Sequence, residues 1–377
     1  MDGKNSMNDQ DVKLLERSFK RYYLSHLTEI PVPTDIAKRE FGYKKFTGGM
    51  IRHMNVQDEK AMRLLLVENS PADVYCSNSY YLFPNMDMKK KDWQGADLIF
   101  DIDAKDLHLD CRYSHTCRVC GECKNVYKES SKCPQCNSIK HISSSWPCKN
   151  CINAAKKQVV KLVDILENDL GICADLIEIY FSGNEGFHVH VGKTEYNMLE
   201  PRARVALGDY IRFYNVMPET YGVRRSKIDR KKFPTEDDPG WHGRVAKKFF
   251  GKNAPRSTSN TEYVKIAEKL KNAQYTMGAC IDMQVTGDIH RIFRMPGSLN
   301  SKSGLAKILC TDLAKFDPYQ DACFIDCDLV KISAQCPIRF SLGGRTYGPY
   351  IKETKVEVER FAAVYMMCKG TAHAISS

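Results

Sequence analysis

Long apolar runs are absent from this sequence of 377 residues. No stretch approaches the roughly 18 consecutive apolar residues of a membrane-spanning helix, and the polar start MDGKNSMNDQDVK lacks the apolar core of a secretory signal. Internal repeats and low-complexity tracts are also missing, which excludes repeat architectures. We therefore expect an intracellular globular protein with no membrane partner, long enough for two or three structural units.

Cysteine, by contrast, is plentiful. The sequence has 16 cysteines, and eight of them lie between residues 111 and 151, largely in C-x-x-C pairs. Such content would indicate disulfides in a short secreted chain, but clustered pairs in a longer chain are typical of zinc binding in a reducing compartment. The formal net charge of +10 indicates an anionic partner, and nucleic acid is the natural candidate.

The stretch DLIFDID, residues 97–103, has the alternation of a strand that is buried on one face. Leu98, Phe100 and Ile102 would share the apolar face, so Asp101 and Asp103 would both point to the other side. At roughly 6 to 7 Å between Cα atoms, two such carboxylates can hold one or two divalent cations. An isolated D-x-D is more often a strand cap or a turn, so the motif needs a third carboxylate beside it.

The stretch CIDMQV, residues 280–285, offers that third carboxylate. We interpret it as a strand with Asp282 and Gln284 on its polar face, and we hold Asp288 in reserve. Three converging carboxylates would form the oxygen cage that binds Mg²⁺ or Mn²⁺ in two-metal phosphoryl or nucleotidyl transfer.

Phosphate-binding groups lie in two other segments. The turn SGNEGFH supplies Ser182, two glycines whose amides can approach a phosphate, and His188. The segment IDMQVTGDIHRIFRMPGSLNSKSG supplies Arg294, a suitable phosphate clamp, and ends in a loop that contains Lys302. Each segment also has a simpler interpretation. The SGNEGFH turn could be only a tight hairpin, and Arg291 and Arg294 could simply lie on the exposed face of a helix or strand.

The clustered cysteines form two candidate structural zinc sites. The first is Cys117, Cys120, Cys133 and Cys136, with Cys120-x-x-Cys123 as an alternative first half that would leave Cys117 free. The second combines a C-x-x-x-H pair with a C-x-x-C pair, as Cys111, His115, Cys148 and Cys151. Neither set leaves an obvious open position for water, so we expect no catalysis at zinc.

Three segments, taken together and in this order, resemble the small, catalytic subunit of archaeal and eukaryotic DNA primases. They are GADLIFDIDAKD, then WPCKNC with the following helix and IYFSGNEGFHVHV, and finally IDMQVTGDIHRIFRMPGSLNSKSG. The resemblance runs from REFGY at residues 39–43 to about residue 305. It implies an α+β primase-polymerase catalytic fold, with a mixed β-sheet, a zinc-binding insertion and a mostly helical insertion.

The resemblance also implies roles for individual residues. Asp101, Asp103 and Asp282 would be the catalytic metal ligands. Ser182, His188 and Arg294 would hold the phosphates of the incoming nucleotide. Arg39, in a segment that the family keeps near the active site, and Lys302 would also bind the nucleotide. The second cysteine set looks like the zinc site of small primase subunits.

This sequence departs from the family pattern at three positions. Asn184 and Glu185 stand where relatives often carry basic residues, and Asn300 stands where they usually have histidine. Lys302 or a residue from the basic insertion would then compensate for the missing positive charge.

We expect six consecutive parts. They are a first catalytic part (1–106), a zinc-binding module (107–152), a second catalytic part (153–199), a partly helical basic insertion (200–275), a third catalytic part (276–350) and a C-terminal tail (351–377). Residues 224–256 hold eleven Lys and Arg against four Asp and Glu, a net of +7 (11 − 4). Phe233, Trp241, Phe249 and Phe250 lie among them, which suits phosphate contact with some base stacking.

The expected function is that of a DNA-directed nucleotidyltransferase that makes short RNA primers on single-stranded DNA, and whether it also makes DNA primers is left open. Its partners would be a primase large subunit in a heterodimer, the template, and NTPs or dNTPs. The expected location is the cytoplasm, at the nucleoid, in an archaeon and the nucleus in a eukaryote. Two alternatives are a metal-dependent nuclease and a non-catalytic zinc-ribbon subunit that binds nucleic acid.

Overall fold

The computed structural model describes residues 8–128, 130–251 and 259–375. Residues 252–256 of the basic stretch therefore lie outside the described residues, as do the ends of the first and last expected parts. The strands in the described ranges are β1 (Glu40–Lys44), β2 (Met50–Asn55), β3 (Asp73–Ser77), β4 (Ser79–Tyr81), β5 (Trp93–Ala96), β6 (Leu98–Asp103), β7 (Thr116–Cys120), β8 (Val126–Tyr127), β9 (His141–Ser145), β10 (Ile177–Phe181), β11 (Gly186–Val191), β12 (Ile292–Arg294), β13 (Ile308–Leu309), β14 (Leu329–Cys336), β15 (Phe340–Leu342), β16 (Arg345–Tyr347), β17 (Tyr350–Glu359) and β18 (Ala372–Ala374).

Helices cover the faces of these strands and form most of the basic insertion. They are α1 (Asp9–Ser25), α2 (Glu59–Asn69), α3 (Arg112–His115), α4 (Lys149–Asn168), α5 (Pro201–Ile211), α6 (Gly240–Val245), α7 (Asn260–Thr276), α8 (Met283–Gly287), α9 (Pro318–Asp321) and α10 (Arg360–Cys368). A π-helical turn over Ala246–Phe250 continues α6. Within the described ranges, no helix has both the length and the apolar character that crossing a membrane requires.

The sheet that carries the D-x-D motif has the strand order β13-β10-β11-β6. Leu98, Phe100 and Ile102 are fully buried on β6, and both aspartates lie on the opposite face, as the alternation predicts. Helix α4 packs on the buried face of β6 and β11. It does so through apolar residues at helical spacing, of which Val159, Leu162 and Leu166 are inaccessible to solvent.

A second sheet, in the order β12-β3-β1-β2, lies on the other side of the D-x-D motif and supplies Arg294 from β12. Every pairing between described strands is antiparallel. The α+β class is thus confirmed, but the sheets are antiparallel where a mixed sheet was expected.

The stretch CIDMQV is not a strand, contrary to expectation. The chain turns at Asp282, which caps the short helix α8 by accepting a hydrogen bond from the Gln284 amide. A run of six residues matches one helical turn about as well as a strand, so alternation alone could not decide between them. Helix α8 packs on β6 and α5, which keeps Asp282 beside the D-x-D strand.

The segment expected to be a C-terminal tail is an integral part of the fold. Strand β17 pairs with β14, β18 pairs with the other edge of β14, and α10 packs against all three strands. The side chains from Ala362 to Met367 are buried. The end of α10 is consequently held at a fixed position close to the turn between β10 and β11.

Candidate active site

Strand register places the two aspartates of β6 opposite the turn and strand that contain the other candidate residues. His188 faces Asp101 across the β6–β11 ladder, and Gly186 faces Asp103. The His188 Nε2 atom lies 3.6 Å from the Asp101 carboxylate. The Asp103 carboxylate accepts a hydrogen bond from the Lys105 ammonium at 2.7 Å. The two carboxylates thus share one face, and each has a basic neighbour.

Asp282 reaches the same edge from α8. Its amide donates to the Asp101 carbonyl at 2.9 Å, and its side chain is half-buried rather than directed into the apolar core. The reserve residue, Asp288, is exposed and accepts from the His290 amide at the other end of the helix. A backbone hydrogen bond therefore places Asp282 beside Asp101 on the D-x-D strand, and Asp288 lies at the other end of α8.

The electrostatic surroundings of the Asp101 carboxylate favour binding of a cation beside it. Burial and the neighbouring carboxylates of Asp103 and Asp282 raise the pKa of Asp101 to about 7. Neighbouring aspartates repel each other, and a divalent cation bound by their oxygens would remove that repulsion. The donors are carboxylate oxygens, the ligands that Mg²⁺ and Mn²⁺ prefer, so the chemistry of the donor set fits such an ion.

His188 is buried beside these carboxylates. Burial and the nearby cations Lys307, Arg294 and Arg291 hold the pKa of its imidazole well below the ordinary value, so the ring is neutral. Its Nδ1 atom is buried and has no hydrogen-bond partner in the described part of the chain. A buried polar atom without a partner is costly, and a bound polar ligand would satisfy it.

The turn that contains Ser182 requires its glycines. Gly183 has a positive φ of 87°, and a Cβ at Gly186 would lie 2.5 Å from the Ile102 carbonyl oxygen of β6. Asn300 donates to the Ser182 carbonyl at 3.4 Å, so the loop after β12 supports the turn. The turn is therefore held close to the D-x-D strand.

Arg294 lies on β12, behind the turn. Its Nη1 atom donates to the Asp73 carboxylate at 2.6 Å and to the Leu299 carbonyl at 2.7 Å, and its side chain is almost fully buried. Arg294 is thus a cation held in place by Asp73. Below it, the buried Lys307 donates to the Arg294 carbonyl and contacts the His190 ring.

Arg39 does not have the role expected from the resemblance. All of its N–H groups are engaged inside the protein, among them by the Asp97 carboxylate at 2.6 Å, the Tyr80 hydroxyl and the carbonyls of Thr34 and Ser77. No donor is left for a nucleotide. Arg39 is therefore a structural residue that fixes the segment between β3 and β4.

The three positions that depart from the family pattern also have protein partners. Asn184 accepts from the Lys369 ammonium at 2.9 Å, and Asn300 caps the Lys302 amide at 2.9 Å. The Glu185 carboxylate accepts from Arg112 at 2.9 Å and from the Ser145 hydroxyl, two groups of the zinc-binding module. The Lys302 side chain is exposed near this turn.

One cluster of potential zinc ligands joins the segment after β6 to the start of α4. The Cys111 and Cys151 sulfurs lie 3.6 Å apart, Cys148 is 3.9 Å from Cys111, and the His115 Nε2 atom is 3.3 Å from Cys151. Zn–S bonds of about 2.3 Å in a tetrahedron separate two sulfurs by about 3.8 Å. We call this group the helix cluster, because Cys148 caps α4 and Cys151 lies in its first turn.

A second group, the ribbon cluster, contains Cys120, Cys123, Cys133 and Cys136. The sulfurs of Cys120 and Cys136 are 3.6 Å apart, and those of Cys123 and Cys133 are 3.5 Å apart. Burial opposes ionisation of Cys133, but the amides of Cys136 and Gln135 outweigh it and lower its pKa to about 6. Both clusters have distances and donors suited to zinc.

The structure groups Cys123, and not Cys117, with the other three cysteines of the first candidate zinc site, so it favours the alternative first half, Cys120-x-x-Cys123. Cys117 and Cys120 are three residues apart on β7, so their side chains point to opposite faces of the strand. The Cys117 sulfur is buried on the core side, where it accepts from the Trp146 indole at 3.2 Å.

The aromatic residues of the basic stretch are not placed for base stacking. Trp241 packs on Phe213 with 4.5 Å between ring centroids, and Phe233 packs on Phe250 at 4.8 Å. Trp241 and Phe233 are buried. These rings pack inside the helical insertion, whereas lysines of the same stretch, such as Lys247 and Lys248, are exposed.

Sequence reasoning missed three residues of the site, namely Asp73, Lys307 and Lys369. Asp73 starts a strand, Lys307 lies in a short apolar stretch, and Lys369 follows a helix, so none of them belongs to a recognisable motif. The only available signal was a charged residue inside an otherwise apolar segment, which applies to Lys307 in GLAKILC.

Known proteins resemble this chain over most of its length. The family model of the DNA primase small subunit matches residues 143–309. The DNA primase small subunit PriS of Cenarchaeum symbiosum (strain A) is 52% identical over 373 residues, which cover 98% of this chain and 100% of that protein. That of Nitrosopumilus maritimus (strain SCM1) is 50% identical over 371 residues, covering 97% and 99%.

A more distant relative aligns over nearly the same length. The DNA primase small subunit PriS of Thermoplasma acidophilum is 32% identical over 365 residues, covering 94% of this chain and 98% of that protein. The resemblance found in three short segments thus extends over almost the whole chain. This chain belongs to the DNA primase small-subunit family.

Proposed function

We propose that this protein is the catalytic subunit of a primase, which joins nucleoside triphosphates on a single-stranded DNA template to make short primers. The observation that carries the proposal is the arrangement of Asp101, Asp103 and Asp282. They come from two segments far apart in sequence, and a hydrogen bond from the Asp282 amide to the Asp101 carbonyl joins them. A merely structural strand cap would need no third carboxylate beside it.

The residues around the aspartates would bind and orient the nucleotide. Mg²⁺ or Mn²⁺ held by Asp101, Asp103 and Asp282 would neutralise charge on the triphosphate and lower the pKa of the attacking 3′-hydroxyl. The neutral His188 offers its free Nδ1 atom to a polar group of the substrate. Arg294, fixed by Asp73, places positive charge behind the site. No aspartate is required to act as a general base.

Zinc has a structural part in this proposal. The helix cluster ties the end of the D-x-D segment to α4. Arg112 of the same zinc-binding module binds Glu185 of the turn of residues 182–186, which we call the nucleotide turn. Both clusters would hold their metal with four protein ligands, which leaves no position for a substrate. A large subunit is expected as a partner, because the relatives are named as small subunits of a primase.

De novo synthesis on single-stranded DNA tests the proposal. The purified protein, with and without the large subunit, is incubated with labelled NTPs or dNTPs and Mg²⁺ or Mn²⁺. We expect labelled strands that require both the template and the divalent cation. Shortening of the template without any new strand would favour the nuclease, and template binding with no product under any condition would favour a non-catalytic subunit.

His188 is expected to act on nucleotide affinity. Substitution His188→Ala should raise the apparent KM for the nucleotide about tenfold, since a charge-assisted hydrogen bond is lost, and should lower kcat by less than about threefold. His190→Ala is the matched control, because it removes a buried imidazole from the same face of β11 but away from Asp101. A lower kcat with unchanged KM would instead assign His188 to the chemical step.

A further inference from the structure

Lys369 is a buried cation at the end of α10. Its side chain is only 8% exposed, and its ammonium donates to the Asn184 carboxamide oxygen at 2.9 Å. In the described ranges, no carboxylate lies within ion-pair distance of this ammonium. The face of the Tyr365 ring, 5.2 Å away, offsets part of the charge.

The amide that Lys369 contacts belongs to the nucleotide turn. Asn184 lies between Ser182 and Gly186, and Gly186 pairs with Asp103. Ser303 donates to the Gly183 carbonyl from the neighbouring loop, so the turn, the loop and the end of α10 meet at one place. The end of α10 thus contributes a charged group to the edge of the candidate active site.

The carboxylate nearest to Lys369 is already engaged. The Glu185 carboxylate attracts Lys369, but it already accepts hydrogen bonds from Arg112 and Ser145. The exposed Lys302 adds further positive charge at the same turn. Burial lowers the pKa of the Lys369 ammonium. A buried ammonium without an anion is unfavourable, and an anion with several charges at this turn would remove the penalty.

We infer that Lys369 binds the triphosphate of the incoming nucleotide, so that the C-terminal helix completes the nucleotide site. This inference rests on the proposed function. The polyphosphate is the occupant that the surroundings favour, because the turn lies beside the carboxylates that would share a divalent cation with it. The turn itself, with Asn184 and Glu185, carries no positive charge of its own.

The test compares Lys369→Met, which keeps the apolar stem and removes the charge, with Lys369→Arg, which keeps the charge. Lys355→Met is the matched control, because Lys355 is an exposed lysine of β17, a strand that packs against α10. We expect Lys369→Met to raise the KM for NTP about tenfold or more, with kcat changed less than about threefold. Lys369→Arg should restore most of the affinity, and Lys355→Met should match the wild type.

Binding assays separate this inference from the proposed function and from a structural role. Anisotropy of a labelled non-hydrolysable NTP, with inorganic tripolyphosphate as competitor, needs no synthesis and should show the same loss of affinity for both in Lys369→Met. Unchanged affinity for both compounds would overturn the inference, as would a loss of single-stranded DNA binding alone. A lower melting temperature with a reduced kcat and an unchanged KM would overturn it in favour of a structural role.

Discussion

Replacing Asp101 by asparagine is expected to reduce primer synthesis by at least about a thousandfold. The substitution keeps the size of the side chain but removes a negative charge from the group that would bind the divalent cation. Stabilisation of transition-state charge by a bound metal amounts to several kcal/mol, and about 4 kcal/mol corresponds to a factor of a thousand. Template binding should stay within about twofold, because the positive charge of the protein is unchanged.

The same variant should be more stable than the wild type when no divalent cation is added. The folded-state pKa of Asp101, about 7, lies above the ordinary value of 3.8. An acid with a raised folded-state pKa contributes stability that is present below about pH 4 and is lost as pH rises through about 7. Above pH 7 the wild type therefore carries an unfavourable charge, equivalent to at most about 4 kcal/mol, that Asp101→Asn lacks.

Thermal unfolding from pH 4 to pH 8, without added Mg²⁺, measures this effect. We expect the melting temperatures of the two proteins to be equal near pH 4 and the variant to melt several degrees higher at pH 8. Asp288→Asn is the control, because Asp288 is an exposed carboxylate at the other end of α8, and it should retain both synthesis and stability. An inactive Asp288→Asn variant beside an active Asp101→Asn variant would contradict the assignment of the site.

Loss of the helix cluster is the second change with a large expected effect. Cys151→Ser should lower the melting temperature by more than about 10 °C and remove most of the synthesis. Stability and synthesis should both fall because this cluster joins the segment after β6 to α4, and α4 packs on β6, the strand that carries Asp101 and Asp103. Cys133→Ser, in the ribbon cluster, should leave most of the synthesis, because that cluster closes only the outer ribbon.

Zinc content per chain provides the measurement for both clusters. We expect two zinc ions in the wild type and one in each of Cys151→Ser and Cys133→Ser. Cys117→Ser is the control, because Cys117 is a buried cysteine outside both clusters, and it should keep two zinc ions. If instead Cys117→Ser lost one zinc ion and Cys123→Ser kept two, the ligands of that site would be Cys117, Cys120, Cys133 and Cys136, contrary to the structure.

The parts of the site that the sequence could predict are those set by local patterns. Alternation along β6 is local, so the shared face of Asp101 and Asp103 could be predicted. Gly183 is equally local, because its positive φ belongs to the turn itself, whereas Gly186 is required by its close approach to the Ile102 carbonyl of β6. The position of Asp282 was predicted correctly but in the wrong element, since six residues do not distinguish a strand from one turn of helix.

The parts that could not be predicted depend on distant contacts. Arg39 is engaged by Asp97, 58 residues away, and Lys369 contacts Asn184, 185 residues away. Cys117 has the C-x-x-C spacing of a zinc ligand, and only the formation of β7 turns it to the other face. In each case the chemistry of the residue was clear from the sequence, but its partner was decided by tertiary packing.

We expect Asp101, Asp103 and Asp282 to form one divalent-cation site at which the triphosphate binds. Anomalous diffraction at the manganese edge, from crystals soaked with Mn²⁺ and a non-hydrolysable NTP, tests it most directly. We predict manganese peaks within bonding distance of carboxylate oxygens of all three aspartates. Manganese bound only elsewhere, or bound by the two residues of β6 with Asp282 turned away, would show that the three aspartates do not form one metal site.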